Sequence, residues 1–320
     1  MTFYLNQRFS DFDEMASAFS AWNADIRQLQ KGKSVNHLIE FNTGDLMITN
    51  GIFNGNTQQK GSPPPFGTTV AILSDKVSNL SWRKNEVGSN SLMVMPPGSE
   101  LDVVTKTYAG VYTITLSGRT LEKQIRLNSE LEKALDQNRL LTAPALVVGL
   151  LRSMIQKYQT LLDANPTLIS QTSFVDELNW EVSEKIAACL TDSCGVSEPI
   201  HHINKNKVWD RIEHVFEKPW EIDLRVSDLC RMARVSESTL LRLFKARFDL
   251  SPKTYINMVR LNGLHKELMN GGTGSQKIAD CANRWGFWHM GQLAKDYKKL
   301  FGELPSETIR RRNAQKSSKF

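Results

Sequence analysis

The feature that most constrains this chain is a pair of short helices joined by a tight turn, which the sequence predicts between Gln276 and Phe301. The apolar residues of the first helix recur at helical spacing and are Ile278, Cys281, Ala282 and Trp285. Gly286 follows, and glycine readily adopts the positive φ that a sharp turn between helices needs. The inward residues of the second helix are Leu293, Tyr297 and Leu300, which leaves its lysines outside. This pattern predicts a helix-turn-helix, whose second helix enters a DNA major groove.

The same pattern occurs about fifty residues earlier, between Val226 and Phe248. Arg234 stands at the place of Gly286, so this first turn is expected to be strained. Beyond the turn, three positions of the first copy match the second copy with the same difference in residue number: Phe244 with Tyr297, Phe248 with Phe301, and Pro252 with Pro305. A long helix over Pro252–Met269 is predicted between the two motifs, where it would fix one relative to the other. An internal repeat is harder to obtain by chance than a single motif match.

From residue 206 to about residue 312 the sequence resembles the AraC/XylS family of transcription regulators. The resemblance rests on the tandem pattern and on the run GFWHMGQLAKDYKKLFGELP, which starts at Gly286. It implies a DNA-binding regulator whose N-terminal part is an effector or oligomerisation domain, often cupin-like. A regulator of this kind is expected to bind double-stranded promoter DNA and to have RNA polymerase as a partner.

The charge is distributed as this function requires. Residues 206–320 hold 22 Lys and Arg against 13 Asp and Glu, a net charge of +9, whereas residues 1–205 hold 18 against 21, a net of −3. A basic half that coincides with the repeats is the expected footprint of a nucleic-acid binder. The chain has no run of eighteen apolar residues and no signal peptide at its start, so we expect a cytoplasmic protein without a membrane partner.

The N-terminal part predicts an α+β fold. Ser10–Leu29 has helical spacing, and many short β-branched or aromatic runs follow between residues 37 and 116, which favours a sandwich or small barrel. Further helices are predicted over Arg119–Leu140, Ala145–Asp163 and Ser173–Thr191. The predicted domains are 1–118 (β-rich, with the N-terminal helix), 119–193 (helical), 194–206 (linker) and 207–320 (all-α, with motifs at 226–248 and 276–301).

The roles of the N-terminal part stay open at this point. His37 is the only histidine in residues 1–200, so we expect no metal site and no cofactor there. A small organic effector could occupy the β-domain, with candidate wall residues Phe41, Met47, Trp82, Met93 and Met95, although for each taken singly plain core is the better explanation. The helical segment 119–193 either makes a homodimer interface or packs on the β-domain.

The candidate DNA contacts lie on or just before the two recognition helices. In the first motif they are Ser236, Ser238, Leu241, Arg242 and Lys245. In the second they are Trp288, His289, Met290, Gly291, Gln292, Lys295, Lys298 and Lys299. Arg242 can bond guanine O6 and N7, Gln292 can read adenine, and Met290 can contact a thymine methyl. Exposed amides behind Ser236 and His289 can meet phosphate.

Two other functions compete with a sequence-specific regulator. An enzyme fused to this module, such as a DNA-repair alkyl acceptor, needs an activated cysteine, and neither Cys189 nor Cys194 has activating neighbours in sequence. A non-specific architectural protein would show no preference between specific and scrambled promoter DNA. We therefore predict a transcription regulator that is not an enzyme.

Overall fold

The computed structural model describes residues 2–19, 21–75, 77–120, 135, 139–195, 200–217, 224–271 and 278–317. The chain divides into two compact units. The N-terminal unit comprises Met1–Ile26, Val35–Asn54 and Gln59–Ser197. The C-terminal unit comprises Glu198–Phe320 together with two short segments, Arg27–Ser34 and Gly55–Gln58.

The N-terminal unit is built on two β-sheets. Their strands are β1 (Phe3–Phe9), β2 (Asn23–Gln28), β3 (Asn36–Asn42), β4 (Leu46–Asn54), β5 (Thr57–Ser62), β6 (Gly67–Leu73), β7 (Leu80–Trp82), β8 (Asn85–Glu86), β9 (Ser91–Met95), β10 (Leu101–Thr105), β11 (Tyr108–Ser117), β12 (Arg139–Thr142) and β13 (Cys194–Gly195). The larger sheet has the order β1-β3-β4-β11-β6-β9-β12-β13, and the smaller has the order β2-β5-β10-β7-β8. Neighbouring strands of the larger sheet pair antiparallel throughout.

The central strands of the larger sheet are buried on both faces, which explains their continuous apolar runs. On β6, Val70 and Ile72 contribute to a core with the helices, while Ala71 and Leu73 face the smaller sheet. The alternation repeats on β9, and it follows from the two-residue period of a strand. The smaller sheet adds Trp82 and other apolar residues to the second core. The unit is therefore a sandwich with a helical layer on one side, which confirms the predicted α+β class.

Two helices of 20 residues each cover the outer face of the larger sheet: α2 (Ala145–Ala164) and α3 (Thr172–Thr191). Both agree with the helices that the sequence predicts. Residues 121–134 and 136–138 of the predicted helix Arg119–Leu140 lie outside the described residues, and its end is not helical, because Arg139–Thr142 is strand β12 and pairs with β9.

The prediction of one helix over Ser10–Leu29 is wrong in its second half. Helix α1 spans only Phe12–Ala18, and Asp11 caps it by accepting hydrogen bonds from the amides of Asp13 and Glu14 at 2.8 and 3.1 Å. The following strand β2 buries Ile26, whose spacing from Trp22 fits a strand face as well as a helix face. Strand β1 has no counterpart in the sequence prediction.

The C-terminal unit is helical, as predicted. Its helices are α4 (Ile200–Ile212), α5 (Val226–Ala233), α6 (Glu237–Phe248), α7 (Pro252–Asn270), α8 (Ile278–Arg284), α9 (Met290–Phe301) and α10 (Pro305–Ser317). A 3-10 turn, Glu213–Phe216, follows α4. Helix α4 begins inside the region expected to be a linker, of which residues 196–199 are outside the described residues. So are Ser275, the expected N-cap of α8, and the glycine run at 272–274. No described helix is long and apolar enough to cross a membrane.

Candidate nucleic-acid interface

The first motif consists of α5, a turn at Arg234 and α6. Arg234 has φ 57° and ψ 46°, the left-handed conformation predicted from its alignment with Gly286. The amide of Val235 donates to the carbonyl of Cys230 at 3.1 Å and closes the end of α5. Ser236 then caps α6, since its hydroxyl accepts from the amide of Thr239 at 3.3 Å. These local bonds fix the direction in which α6 leaves the turn.

Helix α6 has a buried face and an exposed face. The buried residues are Leu240, Leu243, Phe244 and Phe248. The candidate contacts Ser236, Ser238, Leu241, Arg242 and Lys245 are all exposed. Three of them have local partners: the Ser236 hydroxyl lies 3.0 Å from that of Ser238, and Lys245 Nζ lies 3.5 Å from Asp249 Oδ1. Arg242 therefore remains the side chain on this face best suited to a base edge.

The second motif consists of α8, a turn at Gly286 and α9. Gly286 has φ +79°, and the amide of Phe287 donates to the carbonyl of Ala282 at 2.9 Å, so both turns have the same backbone geometry. His289 is the N-cap of α9, but its side chain makes no capping bond. The first amides of α9 therefore receive no cap from the His289 side chain, and the first amides of a helix are the groups that can bind a phosphate.

Helix α9 presents a basic face. The buried residues are Leu293, Tyr297, Leu300 and Phe301. Of the candidate contacts, Met290 is half-buried, and the exposed ones are Trp288, His289, Gly291, Gln292, Lys295, Lys298 and Lys299. Gln292 Nε2 donates to Asp296 Oδ1 at 3.0 Å, which holds the Gln292 amide at the helix surface. Trp288 is 72% exposed, so its ring is not part of the described core.

Helix α7 contacts both motifs. Near its start, the Tyr255 ring stacks on Phe248 with centroids 4.3 Å apart, inside an aromatic cluster that includes Trp209, Phe216 and Phe244. Near its end, Glu267 accepts a hydrogen bond from Trp285 Nε1 at 2.7 Å. One continuous helix therefore connects the two recognition helices, as predicted.

Two features of this unit escaped the sequence reasoning. Helix α10 lies against α7, where Arg312 Nη1 donates to the carbonyl of Leu268 at 2.8 Å. Its start signal is Pro305 followed by Glu307, whose carboxylate accepts from the amide of Leu304 at 2.6 Å. A buried hydrogen-bond chain also links α7, α9 and α10, from His265 to Tyr297 at 2.6 Å. No local pattern signals that chain, because its members come from three helices.

The candidate effector residues separate into two groups. Trp82, Met93 and Met95 line a mainly apolar cavity of about 50 Å³ between the two sheets of the N-terminal unit. Phe41 belongs to the other core, between the larger sheet and the helices. Met47 is fully buried on β4 and is not part of the cavity wall. The indole N–H groups of Trp22 and Trp82, both in the wall, make no hydrogen bond with the described residues.

Helices α2 and α3 carry exposed apolar residues. Leu146, Leu150 and Leu161 of α2 are 75%, 49% and 40% exposed, and Trp180 of α3 is 59% exposed. The spacing of the three leucines puts them within one stripe of α2, which lies beside the buried face of that helix.

Comparison with known proteins agrees with this geometry. Residues 229–311 match a family model described as a helix-turn-helix domain. The C-terminal region is an AraC/XylS-family DNA-binding domain. Over 107 residues the chain is 30% identical to XylDLEGF operon transcriptional activator 1 of Pseudomonas putida, a match that covers 33% of this chain and 32% of that protein.

Other relatives match the same region. The regulatory protein HrpB of Ralstonia nicotianae is 34% identical over 96 residues, which is 30% of this chain and 20% of that protein. This chain thus spans about a third or less of the length of these curated relatives. Among solved structures, the AraC-like transcriptional activator CuxR has a TM-score of 0.44 at 15% identity, over 81% of this chain and 93% of that one. The two curated relatives are described as a transcriptional activator and a regulatory protein.

Proposed function

We propose that this protein is a sequence-specific transcription regulator that inserts α6 and α9 into successive major grooves of promoter DNA. The observation that carries the proposal is the pair of exposed, polar recognition faces on two helices tied by α7. Such an arrangement reads two subsites whose centres lie about 10 base pairs apart, one turn of B-DNA. The three lysines on the exposed face of α9 add phosphate attraction, which depends on salt.

Within this proposal the recognition faces have distinct roles. Arg242 reads a base of the first subsite, and its replacement by alanine should cost about 1–3 kcal/mol and relax preference at one base pair. Gln292→Ala and Lys295→Ala should affect only the second subsite. Lys298→Ala should lower the affinity for all DNA sequences alike and reduce the slope of log K against log salt concentration by about one unit.

Footprinting and gel retardation of the full chain test these roles. The DNA would be fragments that the protein retains from its own genome, each compared with a scrambled version. Lys157→Ala, which removes an exposed lysine from the N-terminal unit, is the control for charge and should leave the footprint unchanged. Protection of a single half-turn, unaltered by Gln292→Ala and Lys295→Ala, would make the second motif a brace rather than a reader. Equal retention of scrambled DNA would favour an architectural protein instead.

The cysteine chemistry argues against the enzymatic alternative. Burial raises the pKa of the Cys189 thiol to about 12, with a smaller contribution from Asp192. Burial likewise raises the pKa of Cys230 and of Cys281. An alkyl acceptor needs a lowered thiol pKa, since the thiolate is the nucleophile. The raised pKa of these three cysteines favours the neutral thiol, whereas that reaction needs the thiolate.

The cavity between the sheets supports the effector role of the N-terminal unit. A bound molecule there would be small and mainly apolar, with an acceptor group for the indole N–H of Trp22 or Trp82. Trp82→Phe keeps an aromatic wall and removes one donor. If an effector binds in this cavity, the Trp82→Phe variant should need a higher effector concentration to change its DNA binding. Its affinity for DNA without effector should stay the same.

The stripe of exposed leucines on α2 supports a homodimer, with a second copy of this chain as the occupant of that face. Leu150→Glu should shift the sedimenting species from dimer to monomer. Val77→Glu, which places the same charge at an exposed apolar residue of the N-terminal unit outside α2, is the control and should leave the dimer intact. A wild-type protein that sediments as a monomer at micromolar concentration would refute the dimer. RNA polymerase as a partner and a cytoplasmic location stay predictions.

A further inference from the structure

Helix α7 offers the second motif a row of three residues. Arg260, Gly263 and Glu267 are spaced by three and four positions, so they lie on one face of the helix. The end of α8 and the turn after it lie against this row. The contact involves three consecutive residues. Arg284 and Trp285 both bond Glu267, Trp285 also lies against Gly263, and Gly286 lies beside Arg260.

Gly263 allows Trp285 to lie directly against the backbone of α7. A Cβ atom added at Gly263 would overlap the six-membered ring of the Trp285 indole. Glycine inside a helix is unfavourable by about 0.5–1 kcal/mol relative to alanine. Its position in the interior of a 19-residue helix is therefore explained by the close approach that it permits.

Glu267, one turn further along α7, holds the same tryptophan by its polar edge. Its Oε2 accepts from Trp285 Nε1 at 2.7 Å, and its Oε1 accepts from Arg284 Nη2. Both bonds involve a charged carboxylate, which makes them stronger than neutral hydrogen bonds. The carboxylate is largely shielded, with the side chain 25% exposed. The contact with Gly263 determines how closely the Trp285 ring approaches α7, and the hydrogen bond to Glu267 determines how the ring is oriented.

The third contact involves the turn itself. The Cβ position of Gly286 lies 3.4 Å from Arg260 Cζ, so the turn rests on the guanidinium group. Helix α9 begins at Met290, only four residues later. The direction of α9 thus follows from how residues 284–286 sit on α7. At the place of Trp285 the first motif has Ala233, so it lacks this anchor.

We propose that Gly263, Glu267 and Trp285 form a spacing lock, which fixes the position and rotation of the second recognition helix on α7. The lock determines which separation of the two DNA subsites the chain accepts. The inference rests on the proposed function, in which both helices read DNA. These three residues do not touch DNA; they position the helix that does.

The test measures how binding depends on the separation of the subsites. The full chain is titrated against its retained DNA, against the same DNA with one or two base pairs inserted between the subsites, and against DNA with a scrambled second subsite. Two inserted base pairs rotate the second subsite by roughly 70°, since B-DNA turns once in 10–10.5 base pairs. Wild type should lose about tenfold in affinity on this insertion and then bind no better than with the scrambled subsite.

Breaking the lock should flatten that profile. In Glu267→Ala the loss on insertion should fall from about tenfold to about threefold or less, because α9 can then follow the displaced groove. Affinity for DNA with the scrambled second subsite should not change, since the first motif is intact. Glu267→Gln keeps an acceptor for Trp285 Nε1 and should restore part of the discrimination. Gly263→Ala, which displaces the indole, should act like Glu267→Ala.

Matched controls separate the lock from general destabilisation. Asp280→Ala removes an exposed carboxylate from α8, and Gly118→Ala adds a Cβ where nothing lies within 4 Å, so both should keep the wild-type profile. An unchanged tenfold loss in folded Glu267→Ala would overturn the lock, as would an equal loss of affinity on every DNA. If Gly263→Ala does not fold, the two Glu267 variants decide. Failure of wild type to prefer its retained DNA over scrambled DNA would instead refute the proposed function.

Discussion

Removing the Tyr297 hydroxyl should loosen the second motif, because this group forms two buried hydrogen bonds. It lies 2.6 Å from His265 Nδ1 and 2.9 Å from Thr308 Oγ1, and Thr308 in turn donates to Glu303 Oε1 at 2.6 Å. All four residues are buried, and Tyr297 and Thr308 are fully inaccessible. The chain joins α7, α9 and α10 through side chains alone.

Tyr297→Phe removes the hydroxyl and keeps the ring, whose centroid lies 4.6 Å from that of Phe301. No large cavity results, so the change measures the hydrogen bonds. Each lost bond is worth about 0.5–1.5 kcal/mol net, and a buried group left without its partner costs about 1–3 kcal/mol. We expect a total of about 2–3 kcal/mol, which corresponds to roughly a 30- to 150-fold increase in the open population of this region.

Hydrogen exchange of the full chain, followed on peptides from residues 290–317, measures that opening directly. The slowest amides should exchange about 30-fold faster or more in Tyr297→Phe. Tyr108→Phe is the control, because the Tyr108 hydroxyl donates to Asp75 in the N-terminal unit, at a partly exposed site. It should leave these peptides unchanged. An acceleration below about threefold in Tyr297→Phe would mean that the buried chain does not hold α9.

Three further changes have definite expected results. Gly67→Ala places a Cβ into the backbone of the neighbouring strand and should destabilise the sandwich by about 1–3 kcal/mol in urea unfolding, whereas Gly118→Ala should stay within about 0.5 kcal/mol. Arg234→Gly removes the strain of a non-glycine residue with positive φ and should stabilise the first motif by about 1 kcal/mol. Arg231→Gly, inside α5, should destabilise it by a similar amount, and thermal unfolding measures both. Cys189 should resist alkylation at pH 8 until the chain unfolds. Because its folded pKa is raised to about 12, this residue stabilises the fold below the unfolded thiol pKa, and that contribution is lost as pH rises toward 12.

The two motifs could be predicted because their signals are local. Helical spacing, a turn residue with positive φ and the following apolar position all lie within about twenty residues, and Arg234 and Gly286 indeed share one backbone conformation. The exposed faces then follow from the same spacing. The lock between Gly263 and Trp285 could not be predicted in this way, since a close approach between two helices leaves no period in either one.

The error at residues 19–29 has the opposite origin. Trp22 and Ile26 satisfy a helical period and a strand period equally, so spacing alone cannot separate the two structures. Strand β2 belongs to the smaller sheet beside β5, about thirty residues away. Pairing with a distant strand decides the outcome, and no local window contains it. The same reasoning explains why the sequence predicts a helix at residues 139 and 140, where strand β12 begins.

The two motifs repeat one backbone pattern and both contain ring contacts, but in the second a buried chain of side-chain hydrogen bonds joins three helices. Around the first, Phe244 and Phe248 pack with Trp209 and Tyr255 through ring contacts. At the place of Phe244 the second motif has Tyr297, whose hydroxyl enters a directional hydrogen-bond chain. Ring contacts tolerate small rotations, because their energy varies gently with angle, whereas hydrogen bonds weaken steeply when misaligned. The second recognition helix is accordingly the one whose orientation the structure specifies most narrowly, so altered subsite spacing should be penalised mainly through that helix.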